Sequence, residues 1–373
     1  MIEKLRILHL PNTLSKKSGI MSFIMNYYRG IDKEKIQFDF LVFDTIEDNY
    51  EEEIVNLGGR IYKLNNSASK NPLFIQKEVN KFLNEHQNVY PIIHYHAISI
   101  WHFALKIAKK HRVKHIISHS HATMYSDKKI SAIRNKFLIS KMKKNTNHYF
   151  ACSEAAGRFL YGDTLMDTGK VKITNNAVDC SKFKYDKIQR DVIRKDLGVE
   201  DELIIGHVGR FNEQKNHLFL IDIFYAVLKK EPSAKLVLVG EGPLRRMVEE
   251  KIERLKIEDS VFILGRRNDV PNILSAIDIF LLPSLFEGLP FVGVEAQASG
   301  LPIILSESIT KEIGLNNYMY ISLNMSANYW ADKILSINYR IDRMNAYKDV
   351  MDKGFDIFQE SIKLEELYIK MKQ

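Results

Sequence analysis

Two carboxylates stand out for the chemistry they could do. In Phe286–Ala296, FEGLPFVGVEA, Glu287 and Glu295 are separated by seven residues that are all apolar, proline or glycine. Charges set in so apolar a run need partners, and a carboxylate there can accept hydrogen bonds from the hydroxyls of a ligand. Complementing a helix N-terminus would account for Glu287 without any ligand, but it accounts poorly for Glu295 in mid-segment. The amides of Gly288, Leu289 and Phe291 can serve as anion donors, whereas Pro290 has none. Arg210 and Lys215, in HVGRFNEQKNH, add two cations five residues apart at a strand-to-helix turn. Fixed positive charge beside a helix N-terminus suits a phosphate-bearing ligand; the alternative is a pair of solvated loop cations.

Gly240 and Gly242, in GEGP, open a helix expected from Leu244, and they permit either close approach of a ligand or a simple tight turn. The histidines form two pairs, His94/His96 and His119/His121, each at the i, i+2 spacing that shares one face of a strand. No HExxH, cysteine cluster or paired-aspartate motif accompanies them, so no metal is expected. One strand-end histidine is expected to face a ligand while its neighbours are ordinary. Gly19, in SKKSGIM, is placed to let a ligand approach the backbone after the first strand.

These residues need a scaffold, and the hydrophobic pattern supplies one. Short apolar runs such as LRILHL (5–10), FDFLVF (38–43), PIIHYH (91–96), HIISHSH (115–121) and HYFACS (148–153) alternate with longer helical patterns. Near-continuous apolar strands separated by helices mark a parallel sheet covered on both faces. The pattern restarts with ELIIGHVGR (202–210), AKLVLVGEGP (234–243), SVFILGR (260–266) and DIFLLPS (278–284). At 373 residues the chain is too long for one ordinary core. The reading is α/β, with two Rossmann-like domains facing a central cleft: 1–184, 185–352, and a C-terminal segment, 353–373. In such sheets ligands bind beyond the carboxyl ends of strands, where Gly209, Arg210, Gly240, Gly242, Gly265, Arg266 and Glu287 fall.

Composition excludes disorder and fibrous classes, and two cysteines, Cys152 and Cys180, give no disulfide framework. No stretch of about 18 apolar residues exists, so a cytoplasmic protein is expected. Of the net charge of +8, residues 101–150 carry twelve Lys/Arg against one acid, Asp127. Within them Lys128–Lys144, KKISAIRNKFLISKMKK, has seven basic residues, no acid, and Ile130, Ile133, Phe137, Leu138 and Met142 near helical spacing. Such a helix can lie on an anionic membrane surface, or pack its apolar stripe on its own domain. Nucleic acid is not expected, because no stacking platform or binding motif accompanies the charge.

VGRFNEQK, GEGP, ILGR and EGLPFVGVEAQASGLP together resemble the retaining GT-B glycosyltransferases of family 4, of the bacterial capsular and exopolysaccharide type. SGIMSFIMNYY, SHSHAT, ACSEAAG and ITNNAVDCSKF resemble the first half of that family more loosely, with Ala177 where the family has glycine. The resemblance implies a C-terminal helix, IKLEELYIKMK, that returns to the first domain. It also implies a nucleotide-sugar donor, UDP-linked, and a lipid-linked glycan acceptor at the inner face of the plasma membrane. By the same resemblance Arg210 and Lys215 grip the diphosphate, Glu295 binds the ribose, Glu287 contacts the donor sugar, and Gly265 and Arg266 border the base. His121 lines the sugar site, with His119 the fallback, and Gly19 approaches phosphate or acceptor. Neither cofactor nor metal is expected, since two cations can stabilise a departing diphosphate. A nucleotide-sugar epimerase of the same architecture and a non-catalytic nucleotide-sugar-binding partner are the alternative readings.

Overall fold

A computed structural model describes residues 4–43, 48–64, 71–96, 102–121, 123, 139 and 142–372. The chain divides into two compact units, Met1–Ala177 with Ile357–Gln373, and Val178–Asp356. The boundaries expected at 184 and 352 fall inside the second unit.

The first unit is built on a seven-stranded sheet of β1 (Leu5–Leu10), β2 (Ile36–Val42), β3 (Ile61–Lys63), β4 (Ile92–Tyr95), β5 (His115–Ser120), β6 (His148–Ala151) and β7 (Val171–Ile173). The order is β3-β2-β1-β4-β5-β6-β7, and every pair is parallel. β1 and β2 are buried almost throughout, as strands covered on both faces must be. Asp39, the one acid in β2, is buried and accepts from Arg6, the Arg60 amide and Tyr90 Oη, so its charge is fully partnered.

Helix Gly19–Gly30 follows β1, with Ser18 as N-cap accepting from the Met21 amide. Helix Ile357–Lys372 belongs to the same unit, as the resemblance implies. Its Glu365 accepts from Lys35 and from the Asp32 amide. A Cβ on Gly30 would lie 2.3 Å from Ser361 Oγ and 2.8 Å from Ser361 Cβ, so the two helices touch where only glycine fits.

The second unit carries a six-stranded parallel sheet, β8 (Ile204–Val208), β9 (Lys235–Val239), β10 (Val261–Ile263), β11 (Ile279–Leu282), β12 (Ile303–Ser306) and β13 (Tyr318–Ile321), in the order β10-β9-β8-β11-β12-β13. Both sheets have the Rossmann-like order. Its core gathers Phe224, Leu236, Leu238, Ile279, Leu281, Ile304 and Trp330. Asp278, at the head of β11, takes Arg190 and Arg194 from helix Lys187–Asp196 and the Ile204 amide. That helix is too polar to show an apolar face in the sequence; it is held by ion pairs and by arginine bonds to carbonyls.

Gly30→Ala should lower stability by about 1–3 kcal/mol, the usual cost of overpacking, and Ser361→Gly in the same chain should restore part of it. Urea denaturation of the single and double variants measures both.

Candidate active site

The site residues of the second unit lie beyond the carboxyl ends of its strands. After β8 the chain turns through Gly209–Asn212 into a short 3-10 turn, Glu213–Lys215, and then helix His217–Leu228. Asn212 caps the turn by accepting from the Lys215 amide, and Asn216 takes a left-handed conformation, φ 56°, that asparagine tolerates. Helix Phe291–Ala298 follows β11 and contains Glu295; Glu287 lies in the loop before it.

This geometry joins the β8 turn to the loop after β11. Lys215 Nζ lies 2.6 Å from Glu287 Oε1, and Gln214 Nε2 donates to Glu287 Oε2 at 3.0 Å and to the Phe286 carbonyl at 3.1 Å. The backbone adds Leu285 N to Gln214 O at 2.8 Å, and Asn216 Nδ2 to Pro283 O at 3.2 Å. Glu287 is buried. Glu295 is partly covered, and its surroundings push its carboxyl up to about 7 against the pull of Lys182 and Lys215. Lys215 therefore acts on both glutamates. Arg210 is exposed, and its guanidinium has no ion pair or hydrogen bond among the described residues.

Taken by itself, the first unit has a layer of imidazoles at the ends of β1, β4 and β5. His9 Nδ1 meets His96 Nε2 at 2.8 Å, and His96 Nδ1 meets His121 Nε2 at 3.0 Å. His94 Nε2 meets His119 Nδ1 at 3.1 Å, and His94 Nδ1 meets Tyr368 Oη at 2.6 Å. The rings of His9, His96 and His121 lie within 19–30° of parallel and meet edge to edge through these bonds. Burial, reinforced by neighbouring histidines, holds His9, His94, His96 and His119 well below the usual range, and burial holds His121 down to about 3. Two trios, His9/His94/His96 and His96/His119/His121, bring nitrogen atoms within 4.8 Å of one another. His96, however, spends its two nitrogens on opposite neighbours, so its lone pairs do not converge on a common point.

Two family descriptions match the chain: Glycosyltransferase Family 4 over residues 18–182 and Glycosyl transferases group 1 over 189–313. EpsF of Bacillus subtilis (strain 168), which carries a glycosyltransferase name, is 34% identical over 334 residues, covering 88% of this chain and 86% of that protein. The chain belongs to the GT-B glycosyltransferases. An Escherichia coli relative, UDP-Gal:alpha-D-GlcNAc-diphosphoundecaprenol alpha-1,3-galactosyltransferase, is 28% identical to the glycosyltransferase over 300 residues, 76% of each chain. Among solved structures, Anabaena HepE in complex with UDP-glucose superposes with a TM-score of 0.79 at 17% identity, covering 98% of the glycosyltransferase and all of HepE.

The site of this glycosyltransferase departs from the sequence reading in several places. A Cβ on Gly240 would lie 2.0 Å from Gly209 O, and one on Gly242 2.3 Å from Phe211 O. The space a Cβ would need at both glycines is taken by the β8 turn, and Phe211 N to Glu241 O and Leu244 N to Phe211 O complete the contact. The helix after GEGP starts at Arg245, with Leu244 as its cap, so Pro243 precedes it. Gly265, φ 64°, accepts from the Gly240 amide, and Arg266 beside it is exposed. Gly288 is partly covered, Leu289 is buried, and Phe291 opens the helix, whose first amides lack intrahelical acceptors as in any helix. Gly19 is exposed with open space at its Cα.

The neighbouring histidines are not isolated side chains but are linked by hydrogen bonds, and of His9, His94, His96, His119 and His121 only His121 is not fully buried. Most of segment 128–144 lies outside the described residues. Of its apolar stripe, Met142 is buried, as is Ile139, and Lys143 donates to the Tyr161 carbonyl. Gln214, Asn212 and Asn216 were missed. Three amides flanking a lysine in a strand-to-helix turn were the signal that could have found them.

Histidines held neutral resist protons that the unfolded chain accepts, so stability must fall as pH falls below about 6.5. The loss is about 1.4 kcal/mol per pH unit for each such histidine. His119→Phe should make the pH 5–7 stability slope shallower by one proton, read from urea denaturation at several pH values.

Proposed function

We propose that the protein moves a sugar from a UDP-linked donor to a lipid-linked glycan acceptor in exopolysaccharide or capsule synthesis, with retention of configuration and without a metal or cofactor. Lys215 carries the reading. Its Nζ lies 2.6 Å from Glu287 and its charge also acts on Glu295, so one cation is coupled to both carboxylates beyond the ends of parallel strands. Arg210 and Lys215 bind the diphosphate and stabilise the charge that grows as the nucleotide leaves. Glu295 accepts from the ribose hydroxyls and Glu287 from the donor sugar. Amides at Gly288, Leu289 and Phe291 face the anion, Gly265 and Arg266 border the base, and Gly240 and Gly242 shape the turn. From the first unit, His121, with His119 behind it in the same layer, and Gly19 take the sugar and acceptor contacts that the family resemblance implies.

The relatives support this choice of substrates. The name of the Escherichia coli relative gives UDP-Gal and a diphosphoundecaprenol-linked sugar, and that of a Campylobacter jejuni relative gives a diphospho-undecaprenol-linked glycan. HepE was solved with UDP and with UDP-glucose.

Glu295 must be ionised to accept hydrogen bonds from two hydroxyls, and its carboxyl is held up to about 7. The diphosphate of a nucleotide sugar, esterified at both ends, does not titrate in this range. Calorimetry with a panel of nucleotide sugars should find one, UDP-linked, whose affinity rises roughly five- to tenfold from pH 6 to pH 8. Glu295→Gln should flatten that rise, and Arg210→Ala should weaken binding at both pH values. Binding of no nucleotide sugar in the panel would sink the reading.

Segment 128–144 we assign to contact with an anionic membrane surface, placing the enzyme peripherally on the inner face of the plasma membrane. Because Lys143 is engaged with Tyr161, other cations test it. Charge reversal at Lys128, Lys129, Lys136 and Lys141 should abolish co-sedimentation with phosphatidylglycerol vesicles, and unchanged sedimentation would remove the membrane role.

A further inference from the structure

Lys215 reaches Glu287 with a side chain that is 14% exposed, and the Glu287 side chain is 9% exposed, so the pair is largely withdrawn from water. Its two carboxylate oxygens are treated differently. Oε1 faces Lys215, a cation on a flexible stem, whereas Oε2 takes Gln214 Nε2, which donates to the Phe286 carbonyl as well. The Lys215 stem runs over Gly209, where a Cβ would lie 3.2 Å from Lys215 Cε, so the absent side chain leaves it a track at the end of β8. Arg210, exposed and without a protein partner among the described residues, stands five residues before it.

We propose that Lys215 is exchanged between Glu287 and the donor diphosphate, with Gln214 holding Glu287 in place when the lysine leaves. The inference rests on the proposed function. A buried carboxylate and an arriving diphosphate compete for one ammonium, so in the empty enzyme Glu287 is an intramolecular inhibitor of anion binding. A diphosphate, long enough to engage Arg210 and Lys215 together, wins the competition where a single phosphate, engaging one of them, does not. The exchange turns Glu287 Oε1 from the lysine to the sugar hydroxyls at the moment the diphosphate is seated. Gln214 is thus a positioning residue, and recognition of diphosphate and sugar becomes one coupled event.

The test is titration of the full chain with UDP and, separately, inorganic pyrophosphate, at fixed ionic strength and with circular dichroism to check folding. Glu287→Gln should tighten both ligands at least tenfold, although it removes a residue assigned to the donor site. Lys215→Met should weaken both at least tenfold. The double variant should match Lys215→Met, because the gain runs through the lysine. If Glu287→Gln does not fold, Glu287→Asp, which draws the carboxylate back by one methylene, should give a smaller gain in the same direction. Weakening by Lys215→Met with no tightening in the Glu287 variants would overturn the exchange and leave the proposed function standing. A gain that persists without Lys215 would mean direct repulsion and would also overturn it. Binding of neither ligand, by the wild type or any variant, would take down the exchange and the proposed function together.

Discussion

Backbone meets backbone at the turns that follow β8 and β9, and the placement of the site depends on that contact. Gly240 and Gly242 have no room for a Cβ because Gly209 and Phe211 main-chain atoms occupy it. Gly209 N to Val239 O, Phe211 N to Glu241 O and Gly240 N to Gly265 O then lace three successive strand ends together. A parallel sheet puts these ends on one edge; the glycines bring them close enough to act as one surface. Arg210 and Lys215 are carried by the turn after β8, at one end of that row.

Upon it the charges are arranged with unequal freedom. Asp278 and Asp39 are buried acids with several fixed donors each, and their role is structural. Among the partners of Glu287 are a side-chain amide and a flexible ammonium, and Glu295 sits where burial and two lysines oppose each other. A carboxylate whose partners can be replaced suits ligand binding; one saturated by backbone amides and arginines suits a core.

Much of this was legible in the sequence, for identifiable reasons. Buried strands announce themselves as apolar runs, so β1, β4, β5, β8 and β11 are evident, while β7, with two of its three residues exposed, carries no such run. Helix Lys187–Asp196 hid because arginine-to-carbonyl bonds, not an apolar stripe, hold it. The residue types of the site were legible too, since glutamates in an apolar run demand an account. Their pairing was not. Lys215 and Glu287 are 72 positions apart and meet only through strand order. The i, i+2 histidines could be placed on a shared face, but the rows joining His9 to His96 and His94 to Tyr368 depend on register between strands and on a distant helix. The glycines of GEGP leave ligand approach and tight turn equally open in the sequence, because sequence cannot say which backbone will arrive.

The contact between His94 and Tyr368 also has a temporal meaning. The two residues are separated by 274 positions, with the whole second unit between them. During synthesis the second unit has all of its chain before the first unit has its closing helix, so an early unit must wait with one face of its helix Gly19–Gly30 uncovered. The glycine at residue 30 and the buried tyrosine at 368 thus do more than fit: they make completion of the first unit wait for chain that follows the whole second unit in sequence.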